Sequence, residues 1–134
     1  MSDMQSAVLD AADALVGAFG RHDREAYFAA FTPEATFLFH NLDRTLGSRA
    51  AYEAEWTLWE ERDGFRVLAC RSRDRRVHLL GDVAIFTHVV ETELSVCGER
   101  VTNNERETIV FSRDAAGCWL AVHEHLSAIP SNLP

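Results

Sequence analysis

Glu107 and Glu124 stand at alternate positions of two otherwise apolar runs. In Glu107-Thr108-Ile109-Val110-Phe111 the odd positions read Glu, Ile, Phe, and in Leu120 to Leu126 the even ones read Leu, Val, Glu, Leu. Side chains alternate across a strand, so both carboxyls are expected on the apolar inner wall of a sheet. Desolvation and like charge each raise a carboxylate pKa. A carboxyl raised toward neutrality suits general acid/base work. His88, within Phe86-Thr87-His88-Val89-Val90, falls on the same wall and is placed to hydrogen-bond Glu107 as a dyad. Glu107, Glu124 and His88 are therefore the candidate catalytic set, with Glu105 and Arg75 joining the cluster if the strand registers hold. The plainer alternatives stay open. Each glutamate can lie at an open rim or pair with Arg73, Arg75 or Arg106, and His88 can be satisfied by backbone. Structural ion pairs perturb pKa values as well.

Around this cluster the wall is expected to consist of Phe86, Val90, Ile109, Phe111 and Leu126. Tyr52, Trp56 and Trp59 repeat at helical spacing and face one way. Such a stripe is core in most proteins, yet its end can stack on a flat ligand, and Trp56 is the expected contact. His40 ends the first strand, at the expected pocket mouth. On the last strand the opposite face carries Trp119, His123 and His125. Two histidines at i, i+2 can share a metal ion. Glu124 points the other way and no third ligand is visible, so no metal is expected. Cys70, Cys97 and Cys118 read as small hydrophobes, because no helix start or histidine partner activates them. The Arg71–Arg76 run reads as a solvated edge or a bulge.

The elements that position these residues follow from local signals. Ser2 and Gln5 form a capping box. Val8, Ala12, Leu15, Val16 and Phe19 then make a helical stripe, which Gly20 is expected to close in a left-handed conformation. Asp23 caps a short second helix that Thr32-Pro33 ends. Residues 35–40 read as a strand and 41–47 as a loop. Ser48 caps a third helix that Asp63-Gly64 closes. Strands are expected at 65–80, 83–96, 100–112 and 118–127, joined by hairpin turns at Gly81-Asp82, Gly98-Glu99 and 114–117. The Gly98-Glu99 turn sets even positions of one strand beside odd positions of the next, which puts Phe86, His88 and Val90 on one face with Glu107, Ile109 and Phe111. The tail, 130–134, is expected to fray.

The chain has 134 residues and 47% hydrophobic content, which suits a single domain spanning 1–134 with its own core. Its 13 basic residues are all arginine, and 21 acidic residues leave a net charge of -8. That field repels phosphate backbones and anionic membrane surfaces, so neither nucleic acid nor membrane is an expected partner. Three widely spaced cysteines, and an N-terminus without a basic segment and apolar run, suit a reducing, cytoplasmic compartment.

Helix–helix–strand–helix followed by a four-strand meander resembles the cone-shaped nuclear-transport-factor-2-like superfamily, which includes ketosteroid isomerase, scytalone dehydratase and SnoaL-like polyketide cyclases. Val77-His78-Leu79-Leu80-Gly81-Asp82 is similar to a segment of the calcium/calmodulin-dependent protein kinase II association domain. So is the ending Trp119-Leu120-Ala121-Val122-His123-Glu124-His125-Leu126-Ser127. The resemblance implies an α+β fold with three N-terminal helices on a curved, mainly antiparallel sheet (α-α-β-α-β-β-β-β). It also implies a homodimer through the outer sheet face and, for Trp119, His123 and His125 of this ending, a structural or interface role. Ile109 and Leu126 stand where the kinase domain has two pocket arginines, so an acid-binding pocket of that kind is not expected. Ketosteroid isomerase tunes carboxyls for proton transfer next to a carbonyl. The resemblance thus implies a small-molecule pocket protein, with cofactor-free isomerase, cyclase or dehydratase chemistry on an apolar carbonyl compound. The alternative is a non-catalytic ligand-binding or association module.

Overall fold

Capping and turn residues set the boundaries of the elements. The structure is a computed structural model that describes residues 3–130. Helices α1 (Asp3–Gly20) and α2 (Arg24–Ala29) precede strand β1 (Phe31–Phe39) and helix α3 (Arg49–Asp63). Strands β2 (Arg66–Leu80), β3 (Val83–Val96), β4 (Glu99–Arg113) and β5 (Trp119–Ala128) follow. The Asp23 side chain caps α2 through Ala26 N, and Ser48 caps α3 through Ala51 N. Gly64 closes α3 at φ 61, a left-handed conformation that costs glycine nothing. Ser2, half of the expected capping box, lies outside the described residues, as do positions 131–134 of the tail.

Two early boundaries differ from expectation. His22, not Gly20, takes the left-handed position after α1, at φ 55. Gly20 is still helical, and it lies where α1 crosses β2 closely: a Cβ there would stand 3.1 Å from that of Cys70. Thr32-Pro33 lies inside β1 and not at the end of α2. β1 is an edge strand, where proline's missing N–H is tolerated.

The architecture is α+β, with helices packed on a five-strand sheet of order β1-β5-β4-β3-β2. β1 runs parallel to β5 and every other pair is antiparallel. The β3–β4 turn is Cys97-Gly98, both at positive φ, which matches the natural twist of a two-residue hairpin. That turn sets His88 directly opposite Glu107 and Phe86 opposite Ile109.

The core lies between the inner sheet face and the helices. Val8, Ala12 and Leu15 of α1 meet an aromatic cluster built on Trp56, which is fully buried among Phe19, Tyr27, Phe28 and Phe65. Burying a large apolar side chain contributes roughly 1.5–3 kcal/mol, so this cluster anchors α1, α2 and α3 together. His22 adds a polar tie. Its Nδ1 accepts from Val67 N at 2.9 Å, and its Nε2 meets Glu60 of α3 at 2.8 Å.

Two bulges redirect side chains. On β5 the register shifts between the partners of Val110 and Phe111, leaving Val122 without one. Below that point Trp119 and Ala121 turn inward and are buried, whereas Leu120 and Val122 are not. Trp119 is thus a core residue, contrary to its expected place on the outer face. On β2 a shift between Arg73 and Arg76, with Asp74 at φ 55, breaks the inner row. Arg73 pairs with Asp74 in solvent, and the Arg75 guanidinium lies over the Phe86 ring and contacts Asp13 of α1.

Candidate functional site

A cavity of about 80 Å³ opens between α1, α3 and the inner face of the sheet. Its wall is mostly aromatic and aliphatic, with Glu105, Glu107, Glu124, Tyr27, Tyr52, Thr92, Asn41 and Asn103 as polar members. Among the described residues no arginine lines it.

Six polar groups at and behind this wall form one connected chain. Tyr27 Oη donates to Glu124 Oε1 at 2.9 Å and lies 3.0 Å from Tyr52 Oη. Glu124 and Glu107 share a side-chain hydrogen bond. Glu107 Oε1 is 2.6 Å from His88 Nε2, and His88 Nδ1 is 2.6 Å from Ser72 Oγ. The six residues come from α3, α2, β5, β4, β3 and β2, one from each. A separate contact, His40 Nε2 to Glu105 Oε2 at 2.6 Å, ties the end of β1 to the cavity edge.

Burial decides the protonation states. It raises Glu107 to about 8, opposed by the Glu124 hydrogen bond and reinforced by Glu105. Burial, then the neighbouring Glu107, also hold Glu124 well above the ordinary carboxylate range. Burial and the Arg75 guanidinium lower His88 to about 4. Tyr27 and Tyr52 are pushed well above the ordinary phenol range by burial and then by Glu124. At neutral pH the cluster is therefore mostly uncharged, which suits a site too dry for isolated ions. Such a site can donate hydrogen bonds to a carbonyl oxygen and exchange one proton with a bound molecule.

Of the residues expected at the site, Glu107, Glu124, Tyr52, Val90 and Leu126 line the cavity. His88 lies behind the wall, with its side chain fully buried against Glu107. His40 stands at the rim, bonded to Glu105. Trp56, Phe86, Ile109 and Phe111 belong to the core and not to the lining. Phe86 is covered by Arg75, and the turn of α3 that carries Trp59 reaches the cavity in place of Trp56. His123 and His125 sit on the outer face, where His123 Nδ1 meets Thr36 Oγ1 at 2.7 Å. Among the described residues no group of three or more His, Cys, Asp or Glu side chains is arranged to hold a metal ion.

Tyr27 and Ser72 were not expected, and Trp59 was expected only as part of the α3 stripe, with Trp56 as the contact. The signal for Tyr27 was a hydroxyl within an otherwise apolar aromatic stripe, since a buried phenol needs a partner. Ser72 had no signal in the sequence, because only the bulge on β2 turns it toward His88.

A cavity backed by carboxyls thus lies between the helices and a mixed five-strand sheet. Residues 8–131 match the model of the SnoaL-like domain, so the chain belongs to the SnoaL-like family. No curated protein matches it. Solved structures share its fold. A ketosteroid isomerase-like protein from Erwinia carotovora atroseptica is 19% identical, with a TM-score of 0.81 over 97% of this chain and 99% of that one. A candidate dehydratase of the nuclear-transport-factor-2-like family from Streptomyces avermitilis is 21% identical (TM-score 0.76, 94% and 96% covered). A candidate calcium/calmodulin-dependent protein kinase II association domain from Xanthomonas campestris is 22% identical (TM-score 0.69, 95% and 86% covered). Among the described residues no helix is long and apolar enough to cross a membrane.

Proposed function

We propose that the cavity carries out cofactor-free acid/base chemistry on a small apolar carbonyl compound: isomerisation, cyclisation or dehydration. The observation that carries this reading is the Glu107–Glu124 pair, buried at the cavity wall and linked to two phenols. When a carbonyl compound enters, Glu124 and Tyr52 turn their hydrogens from Glu107 and Tyr27 to its oxygen, where negative charge develops in an enol-like transition state. Glu107, the carboxyl closer to neutrality, takes and returns the carbon-bound proton. His88 orients Glu107 from behind. Trp59 packs on the substrate.

The test needs no natural substrate. Cyclopentanone in deuterated buffer exchanges its α-protons when acid and base act together, and proton NMR follows the loss. Wild-type protein is expected to accelerate exchange over buffer. Glu107→Gln and Glu124→Gln are each expected to slow the catalysed rate by about 10²-fold or more, the usual contribution of a positioned acid or base. Equal exchange rates for wild type and a folded double variant would sink the assignment.

The volume favours a second reading. Ligand pockets for drug-sized molecules hold roughly 300–1,000 Å³, and this cavity holds about 80 Å³. An association module needs no larger space, and it predicts no exchange activity. In either case the fold family suggests a homodimer through the outer face, where Leu38 stands opposite His125 and is 37% exposed. Sedimentation of wild type against Leu38→Glu tests that interface, and a monomeric wild type rejects it.

A further inference from the structure

The polar chain does not end at the cavity. His88 has no part in the lining, yet it connects Glu107 to Ser72, which is half-buried on β2 beside the bulge at Asp74. Counting protons fixes the direction of the chain. Tyr27 has one hydroxyl hydrogen and gives it to Glu124, so it accepts from Tyr52. Glu124, more strongly held in its acid form, donates to Glu107. Glu107, when neutral, has one hydrogen left to give, and Nε2 of His88 is its partner at 2.6 Å. Nδ1–H of His88 then donates to Ser72 Oγ. Every hydrogen points from the cavity toward the surface.

We propose that His88 and Ser72 form a proton relay that carries the proton of Glu107 between the cavity and bulk water, with Ser72 as the positioning residue that sets which ring nitrogen of His88 is bare. The step balances. Glu107 O–H passes its proton to Nε2, Nδ1–H passes its proton to Ser72 Oγ, and the former hydroxyl proton of Ser72 leaves to water. Afterwards Glu107 is a carboxylate accepting from Nε2–H, and Ser72 donates to a bare Nδ1. No ion is left on the imidazole, and no side chain moves beyond a hydroxyl rotation. A serine hydroxyl suits this place because it both donates and accepts. The inference rests on Glu107 being the titrating group of the proposed site, and it adds the route by which that group is reset.

The groups that face the relay are few. Arg75 of β2 approaches His88, and its own partner is Asp13 of α1. Glu107 of β4 faces it on the other side, with Glu124 of β5 and Glu105 behind. Phe86 of β3 covers the ring at 4.7 Å between centroids.

The test is long-range proton–nitrogen NMR on full-length protein labelled at histidine nitrogen, with the His88 signals assigned by their loss in His88→Asn. At pH 6 wild type is expected to show Nδ1 protonated and Nε2 bare. The two nitrogens should exchange roles in a transition centred near 8, as Glu107 ionises. In Ser72→Ala a buried Nδ1–H would have no acceptor, so the ring should stay in the Nε2–H form throughout and the transition should vanish. Ser72→Thr should restore it. A wild-type ring that is Nε2–H or doubly protonated at pH 6 overturns the relay, as does an unchanged transition in Ser72→Ala. Wild type alone decides the first point should the alanine variant not fold. Ketone exchange is a separate readout. Its failure with a normal ring transition rejects the carboxyl chemistry alone, and the reverse pattern rejects only the relay.

Discussion

Replacing Glu107 by glutamine should change how stability responds to pH, by an amount that follows from the site. In the folded protein Glu107 holds its proton up to about 8, against an ordinary value of 4.5. Between those limits the folded state binds a proton that the unfolded chain has released, so stability falls as pH rises. His88 has the opposite sign. Its folded value near 4 lies below the ordinary 6.5, so stability falls as pH drops through that interval. The two effects cancel where they overlap, from about 4.5 to 6.5. Above 6.5 only the carboxyl effect remains. One proton contributes about 1.4 kcal/mol per pH unit, so Glu107 alone removes about 2 kcal/mol between pH 6.5 and 8. Glu124 adds a loss of the same sign, which the glutamine variant eases by removing its charged neighbour. Stability of Glu107→Gln relative to wild type should therefore rise by at least about 2 kcal/mol across that window. Urea unfolding followed by tryptophan fluorescence at four pH values measures this, provided the m-value stays constant. Parallel stability curves for the two proteins would refute the reasoning. They would mean that Glu107 is already ionised at pH 6.5 and forms an ion pair with His88.

Other consequences follow from packing and exposure. Trp56→Ala empties the centre of the aromatic cluster and should cost about 3–5 kcal/mol in urea unfolding. Trp59→Ala, at the half-exposed cavity wall, should cost less than half of that and change ligand binding instead. Gly20→Ala sets a Cβ 3.1 Å from that of Cys70, so α1 and β2 must part slightly, and should destabilise by about 1 kcal/mol in urea unfolding; Gly64→Ala meets open space, and its loss of about 1–2 kcal/mol would reflect φ alone. Tyr27→Phe leaves the buried Glu124 short of a donor and should cost about 1–3 kcal/mol. Burial raises the Cys70 thiol to about 12, while Cys97 and Cys118 are exposed. Ellman's reagent at pH 8 should therefore titrate two thiols quickly and the third only on unfolding.

Much of the sheet was legible because two-residue turns fix parity. Once Gly81 and the Cys97-Gly98 pair are placed, Phe86, His88 and Val90 must share a face with Glu107 and Ile109, and they do. Parity fails wherever a strand gains an unpaired residue. Val122 is such a residue, and it leaves Glu124 and Leu126 where alternation puts them but turns Trp119 and Ala121 inward. Asp74 does the same to the arginine run, taking Arg73 to solvent and Arg75 onto Phe86. Nothing in local propensity marks Val122, because valine suits a regular strand equally well. On α3 the stripe was legible but not its rotation, and three residues of difference separate a core tryptophan from a cavity one. Tyr27 shows the opposite limit. Its helix was readable, but its bond to Glu124 spans 97 positions, which no local pattern encodes.

The chain of six polar groups also bears on how the protein avoids wrong structures. Each member comes from a different element, and each bonds the next across that gap. A register slip of one strand, or a helix docked one turn off, would leave a carboxyl or imidazole in an apolar interior with nothing to bond. An unpaired group of that kind costs several kcal/mol, whereas a slipped Leu or Val finds new contacts almost anywhere. The same carboxyls that weaken the native state at alkaline pH thus raise the energy of its misassembled competitors by more. They serve as a check on assembly, widening the gap between the correct fold and its near misses.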